Sequence, residues 1–201
     1  MDKKILFIGG SPCSGKSTIA ELISKEYGAY YFKADDFLNE FMKKAAENGA
    51  PICKKILGIN AEEIWMRDAE EQCEEEFCIY EEIAPFVFDK LHRIDSEFII
   101  TEAAAYTPKV MERVKDKMYL CIIPEAEFQV AHYKKREWVP YVLAGCSDKA
   151  QAFDNWMQRD ILFARQVKKE CDDKNIFCLV NDGSKTIQEI FDIVKAYFGL
   201  N

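Results

Sequence analysis

The chain has 201 residues, of which 49% are apolar and 31% charged, and a formal net charge of −8 at pH 7. This size and balance suit one globular domain with a sizeable core and exclude a disordered chain. No apolar run approaches the ~18 residues of a membrane span, and the acidic surplus disfavours nucleic acid as a partner, because phosphate backbones are held by basic surfaces.

Lys3–Gly9 reads as a short buried strand. Gly10, Ser11, Pro12, Cys13, Ser14, Gly15, Lys16 and Ser17 follow it with the spacing G-x-x-x-x-G-K-[ST]. From Thr18 onwards Ile19, Leu22, Ile23 and Tyr27 fall on one helical face, which Gly28 is suited to cap. Strand, glycine loop and helix in that order form a polyphosphate cradle of inward N–H groups at a helix N-terminus. Lys16 is placed to reach the β- and γ-phosphates, and Ser17 to offer a hydroxyl to Mg²⁺.

Further along, Tyr30–Ala34 reads as a second strand and the segment from Phe37 to about Asn48 as a helix. Asn60 is a possible N-cap for a longer helix through Ile64, Ala69, Cys73, Phe77 and Tyr80, which Pro85 should kink or break before Phe86–Leu91. Glu97–Glu102 and Lys117–Ile123 are strand-like, a helix runs from Glu125 to roughly Lys135, and a less periodic stretch reaches Ala150. A helix over Phe153–Asp172, a strand over Ile176–Val180, the turn Asn181–Ser184 and a helix from about Thr186 to Phe198 close the chain. The alternation predicts a parallel sheet covered by helices on both faces. Two long insertions, 37–95 and 125–152, interrupt a chain read as one domain over 1–201, and insertions of that size tend to carry function.

Asp35 and Asp36 follow the second strand, on the edge where parallel sheets build their sites. One of the pair can accept a hydroxyl proton while the other caps the next helix, and Asp35, nearer the strand end, is the favoured base. Glu102 ends the third strand, where an acid holds Mg²⁺ through water or accepts from a substrate hydroxyl; as a structural residue it would pair with Thr101 or Lys109. Arg136 and Arg159 flank the second insertion and suit the charge of a migrating phosphoryl group. Arg67 lies alone among acids, either contacting substrate or pairing with Glu63, Glu70 or Glu71. The acidic run Glu62–Glu82, densest at Glu74-Glu75-Glu76, is a solvated helix face or the lining of a pocket for a cationic substrate. Asp182, in the last turn, lies where a backbone can read a nucleotide base.

The eight cysteines contain no C-x-x-C pair and are expected to be reduced, mostly buried and without zinc. Cys13 sits at a helix N-terminus, where a thiol pKa is lowered; it is a redox-sensitive position or inert loop filler. No signal-peptide segment precedes the first strand, so a cytoplasmic location without membrane attachment is expected.

Gly10–Ser17, Asp35-Asp36-Phe37, Glu102, an arginine-bearing segment near 132–160 and Asp182-Gly183 together resemble the P-loop kinase family of nucleotide, nucleoside and small-metabolite kinases. Asp35-Asp36-Phe37 is similar to the triplet of nicotinamide riboside kinases, whose first Asp is the catalytic carboxylate. The resemblance implies an α/β three-layer fold with five parallel strands in the order 2-3-1-4-5. It also implies substrate held by 37–95, ATP covered by a helical lid over 125–152, and use of ATP and Mg²⁺. Two departures, Ser17-Thr18 after Lys16 and Thr101-Glu102-Ala103-Ala104-Ala105 after the third strand, point to a hydroxyl-bearing metabolite rather than a nucleoside monophosphate. The expected activity is transfer of the γ-phosphoryl group to that hydroxyl. The rivals are a nucleotide-dependent switch and a non-catalytic nucleotide binder; a GTPase is disfavoured by the lack of an N-K-x-D motif.

Overall fold

The computed structural model describes residues 3–200. Strand β1 (Lys4–Gly9) runs through the glycine loop into α1 (Lys16–Tyr27), then into β2 (Tyr30–Lys33) and a 3-10 turn over Ala34–Phe37. Helices α2 (Leu38–Glu47), α3 (Pro51–Leu57), α4 (Ala61–Trp65) and α5 (Ala69–His92) precede β3 (Phe98–Glu102). The rest comprises α6 (Pro108–Met111), β4 (Met118–Pro124), α7 (Ala126–Tyr133), α8 (Val139–Val142), α9 (Lys149–Asp173), β5 (Cys178–Asn181) and α10 (Ile187–Tyr197). All the strand pairs are parallel, in the expected order β2-β3-β1-β4-β5.

Each long strand feeds two cores, because successive side chains point to opposite faces. Phe7, Ile99, Tyr119, Cys121 and Ile123 pack towards α2, α5 and α9 with Phe41, Ile83, Val87, Phe163 and Val167. Leu6, Ile8, Ile100, Leu120 and Ile122 pack the other way, against Ile19 and Ile23 of α1 and Ile190, Phe191 and Val194 of α10. Among the described residues no helix is long and apolar enough to cross a membrane.

Four local expectations are corrected. Helix α5 passes through Pro85 unbroken. A proline there removes the N–H that would bond the carbonyl of Glu81, and the Arg113 guanidinium donates to that carbonyl instead, at 3.3 Å. Helix α3 was not anticipated, since its cap comes from afar: the Glu82 carboxylate accepts from Ile52 N at 3.1 Å and Cys53 N at 2.8 Å. Asn60 does cap a helix, through a reciprocal box with Glu63, but only the short α4; α5 starts afresh at its own cap, Asp68. Helix α9 begins before Phe153, because Asp148 accepts from Ala150 N and Gln151 N, both at 3.0 Å.

Phe163 is fully buried, stacked on Phe77 at 4.5 Å and edge-on to Tyr80 at 5.7 Å. Its truncation, Phe163→Ala, is expected to cost about 3–5 kcal/mol, read as a lower urea midpoint with the slope unchanged.

Candidate functional site

Parallel pairing brings the ends of β1, β2 and β3 to one edge: Glu102 is level with Ile8 on one side and Lys33 on the other. The glycine loop leaves β1 there and rides on the backbone of β4. A Cβ on Gly10 would stand 2.0 Å from the Ile122 carbonyl oxygen, and Gly10 has φ 113°, so only glycine fits. Gly15, at φ 95°, turns the chain into α1, and Cys13 shares the left-handed region at φ 63°. Lys16 is buried and donates to Ser11 O at 2.8 Å. The Ser14 hydroxyl is buried without a hydrogen-bond partner, as an anion cradle with a donor to spare would be. Thr18 is exposed on the first turn of α1, and Pro12 is half-buried.

Glu102 is 1% exposed. Its Oε1 accepts from Ser17 Oγ at 3.0 Å and from the Tyr31 hydroxyl at 2.9 Å, while Oε2 is buried with no partner. The structural alternatives are therefore not adopted: Thr101 Oγ1 donates to Phe32 O, and Lys109 pairs with Glu81. A hydroxyl and a carboxylate in contact, with one buried oxygen left over, suit a hard cation held partly through water.

Asp35 and Asp36 diverge. The Asp35 carboxyl is half-buried and accepts from Ala104 N at 3.2 Å. Burial pushes its pKa up to about 6 against the pull of Lys16, and the Glu102 and Glu76 charges add to the rise. Asp36 turns to solvent and pairs with Lys33 at 3.2 Å, away from the loop.

The arginines differ as much. Arg136 is exposed, stacks by Tyr133 and Trp138, and reaches over the loop to Cys13 Sγ at 3.5 Å. Among the described residues it has no ion-pair partner. Arg159, in contrast, is partly buried: it donates to Asp160 Oδ1 from Nε at 2.8 Å and from Nη2 at 2.6 Å, and its Nε lies 3.1 Å from Glu76 Oε2. Burial works against its charge, but Asp160 and Glu76 outweigh that and raise its pKa above the ordinary value. Arg67 is tied to Glu71 at 3.2 Å and Glu75 at 2.5 Å. Around Cys13, burial exceeds the lowering by Arg136 and Lys16, so its thiol is pushed up rather than down.

Asp182 is exposed, and its carboxylate accepts from Ser184 N and Oγ of its own turn. The residue of that turn that meets the loop is Asn181, whose Nδ2 donates to Ser14 O at 3.0 Å. Tyr31, Tyr80 and Asp160 were not anticipated, while Asn181 and Glu76 were read only as members of the last turn and of the acidic run. Glu76 had a signal: it shares a helical face with Cys73, Phe77 and Tyr80, so an i, i+3, i+4 count would have turned it inward. Accordingly, Glu75 and Glu76 are buried and only part of the acidic run is a solvated face.

The two insertions clasp one another. Trp65 stacks on Trp156 at 4.5 Å, and Trp138 lies 5.8 Å from the same ring. Glu62 accepts from Ser147 N at 2.7 Å, and Asn155 Nδ2 donates to Trp65 O at 2.9 Å.

No family model matches the chain. It is 26% identical to an adenylate kinase of Nitratiruptor sp. over 97% of this chain and 95% of that protein. A crystal structure of a Thermus thermophilus protein superposes with a TM-score of 0.54 at 17% identity, covering 99% of this chain and 98% of the other. An uncharacterized protein from Eubacterium ventriosum does so with a TM-score of 0.51 at 14% identity, each chain covered in full. Sheet order and glycine loop match the P-loop kinase fold, and the chain is similar to an adenylate kinase from end to end.

A raised Asp35 pKa penalises the folded state only where the group ionises, so the cost is absent below its unfolded pKa and complete above about 6. Asp35→Asn is therefore expected to stabilise the protein at about pH 8 relative to its effect near pH 4, by at most about 3 kcal/mol, in paired urea titrations.

Proposed function

We propose that the chain is an ATP:alcohol phosphotransferase, Mg²⁺-dependent, acting on a small hydroxylated metabolite. The observation that carries this reading is Asp35: a half-buried carboxyl with a pKa of about 6, held by Ala104 N on the sheet edge that also bears Lys16 and the glycine loop. A carboxylate so tuned is ready to take a proton at neutral pH.

In the proposed reaction the loop N–H groups and Lys16 hold the β- and γ-phosphates, and Lys16 leaves Ser11 O to do so. The acceptor hydroxyl oxygen attacks the γ-phosphorus. The new O–P bond forms as the bond from phosphorus to the β,γ-bridging oxygen breaks, ADP departs, and the hydroxyl proton passes to Asp35. Arg136, the lid cation without a carboxylate partner, lies over the loop where charge develops on the migrating group. Ser17 and Glu102 would hold Mg²⁺, which when bound neutralises charge on the phosphate oxygens. Arg159 orders the wall of the site rather than meeting the phosphate, since two carboxylates already claim it.

The test is transfer of labelled γ-phosphate over a panel of polyols, sugars, nucleosides and amino alcohols. Lys16→Ala should abolish transfer, and Asp35→Asn should lower kcat by about 10²–10⁴-fold. In the wild type, kcat/KM should fall tenfold per pH unit below about 6 and level off above it, because the base must be deprotonated. ATP turned over only to water, whatever the acceptor, would instead identify a nucleotide-dependent switch.

A further inference from the structure

Three cations of the first insertion and α9 are already spent. Lys55 pairs with Glu75 at 2.5 Å and Glu71 at 3.2 Å, Arg67 pairs with the same two acids, and Arg159 faces Glu76 and Asp160. An acceptor carrying phosphate needs uncommitted arginine or lysine to offset its charge, and these three offer none.

What is left unfilled is acceptor capacity. Glu76 is 7% exposed on the face of α5 that meets α9. Its Oε1 takes the Tyr80 hydroxyl at 2.6 Å. Its Oε2 lies 3.1 Å from Arg159 Nε, yet that N–H is aimed at Asp160 Oδ1, and Oε2 receives no hydrogen bond. Asp160 Oδ2, on a fully buried residue, is likewise without a partner. Negative charge thus exceeds positive on this wall, with one arginine set against Glu76 and Asp160 and with Asp35 near enough to Glu76 to feel its field.

A buried carboxylate oxygen without a donor is costly unless a ligand completes it. We propose that the acceptor carries a positive charge beside the hydroxyl it presents to Asp35, as an amino alcohol or amino sugar does, and that Glu76 is the residue that selects it. This rests on the phosphotransferase reading and narrows it. Burial holds the Glu76 pKa up in spite of Arg159, and a cation arriving beside it favours the ionised form. A nucleoside monophosphate, by contrast, brings an anion to this acid-lined wall.

Matched acceptors decide the matter: ethanolamine and glucosamine, against glycerol and glucose, against adenosine monophosphate, each read by labelled phosphate in the product. The cationic member of each pair should be preferred by at least about tenfold in kcat/KM, with no transfer to the monophosphate. In Glu76→Gln the preference should shrink to within about threefold, mainly through a higher KM for the cationic acceptor. Neutral acceptors preferred in the wild type, transfer to adenosine monophosphate, or an undiminished preference in a folded Glu76→Gln would each overturn the charge assignment while the kinase reading stands. Transfer to no acceptor would remove both. If Glu76→Gln fails to fold, the wild-type ratios alone uphold or overturn the charge assignment.

Discussion

The structure turns on a single carboxylate oxygen. Glu102 Oε1 receives hydroxyls from α1 and from β2 at the end of the strand between β1 and β2. Those two bonds fix the helix that carries Lys16 relative to the strand that leads to Asp35. Buried hydroxyl-to-carboxylate bonds are among the stronger polar contacts a protein makes. The distance from the glycine loop to Asp35 is therefore set by the sheet itself and not by a mobile connection. A site built on strand ends inherits the rigidity of the sheet.

Around that corner the charges are arranged by depth. The exposed cation, Arg136, is held by aromatic faces and so remains free to meet an anion. The partly buried one, Arg159, is neutralised where it stands and acts as mortar between α5 and α9. Removing its guanidinium would leave two acids uncompensated in the interior, which generally costs far more than such a pairing contributes. This division separates the glycine-loop side, where positive charge is available, from the wall between α5 and α9, where it is consumed. The chain resembles an adenylate kinase from end to end, but that resemblance leaves the acceptor wall to be read from its own residues.

The parallel sheet and the glycine loop were legible because they depend on neighbours in sequence, strands alternating with helices and fixed spacing from Gly10 to Ser17, whereas the strand order was implied only by the resemblance those motifs carry. What escaped depends on partners far along the chain. The cap of α3 is thirty residues downstream in α5, and the carbonyl freed by Pro85 is claimed by Arg113 in the segment before β4. Arg159 read as a lid cation because nothing nearby showed that Glu76, on another helix, would claim it. Asp182 and Asn181 are adjacent, and only three-dimensional approach decides which one touches Ser14. Glu76 was the exception, legible from periodicity on its own helix.

All three tryptophans of the chain, Trp65, Trp138 and Trp156, sit in the one aromatic cluster that joins the first insertion to the lid. A parting of the first insertion from α9 would unstack Trp65 from Trp156 and admit water between the rings. The protein thus carries a built-in optical gauge: its ultraviolet emission reports the gape of the cleft directly, without a label and without contribution from indoles elsewhere in the fold.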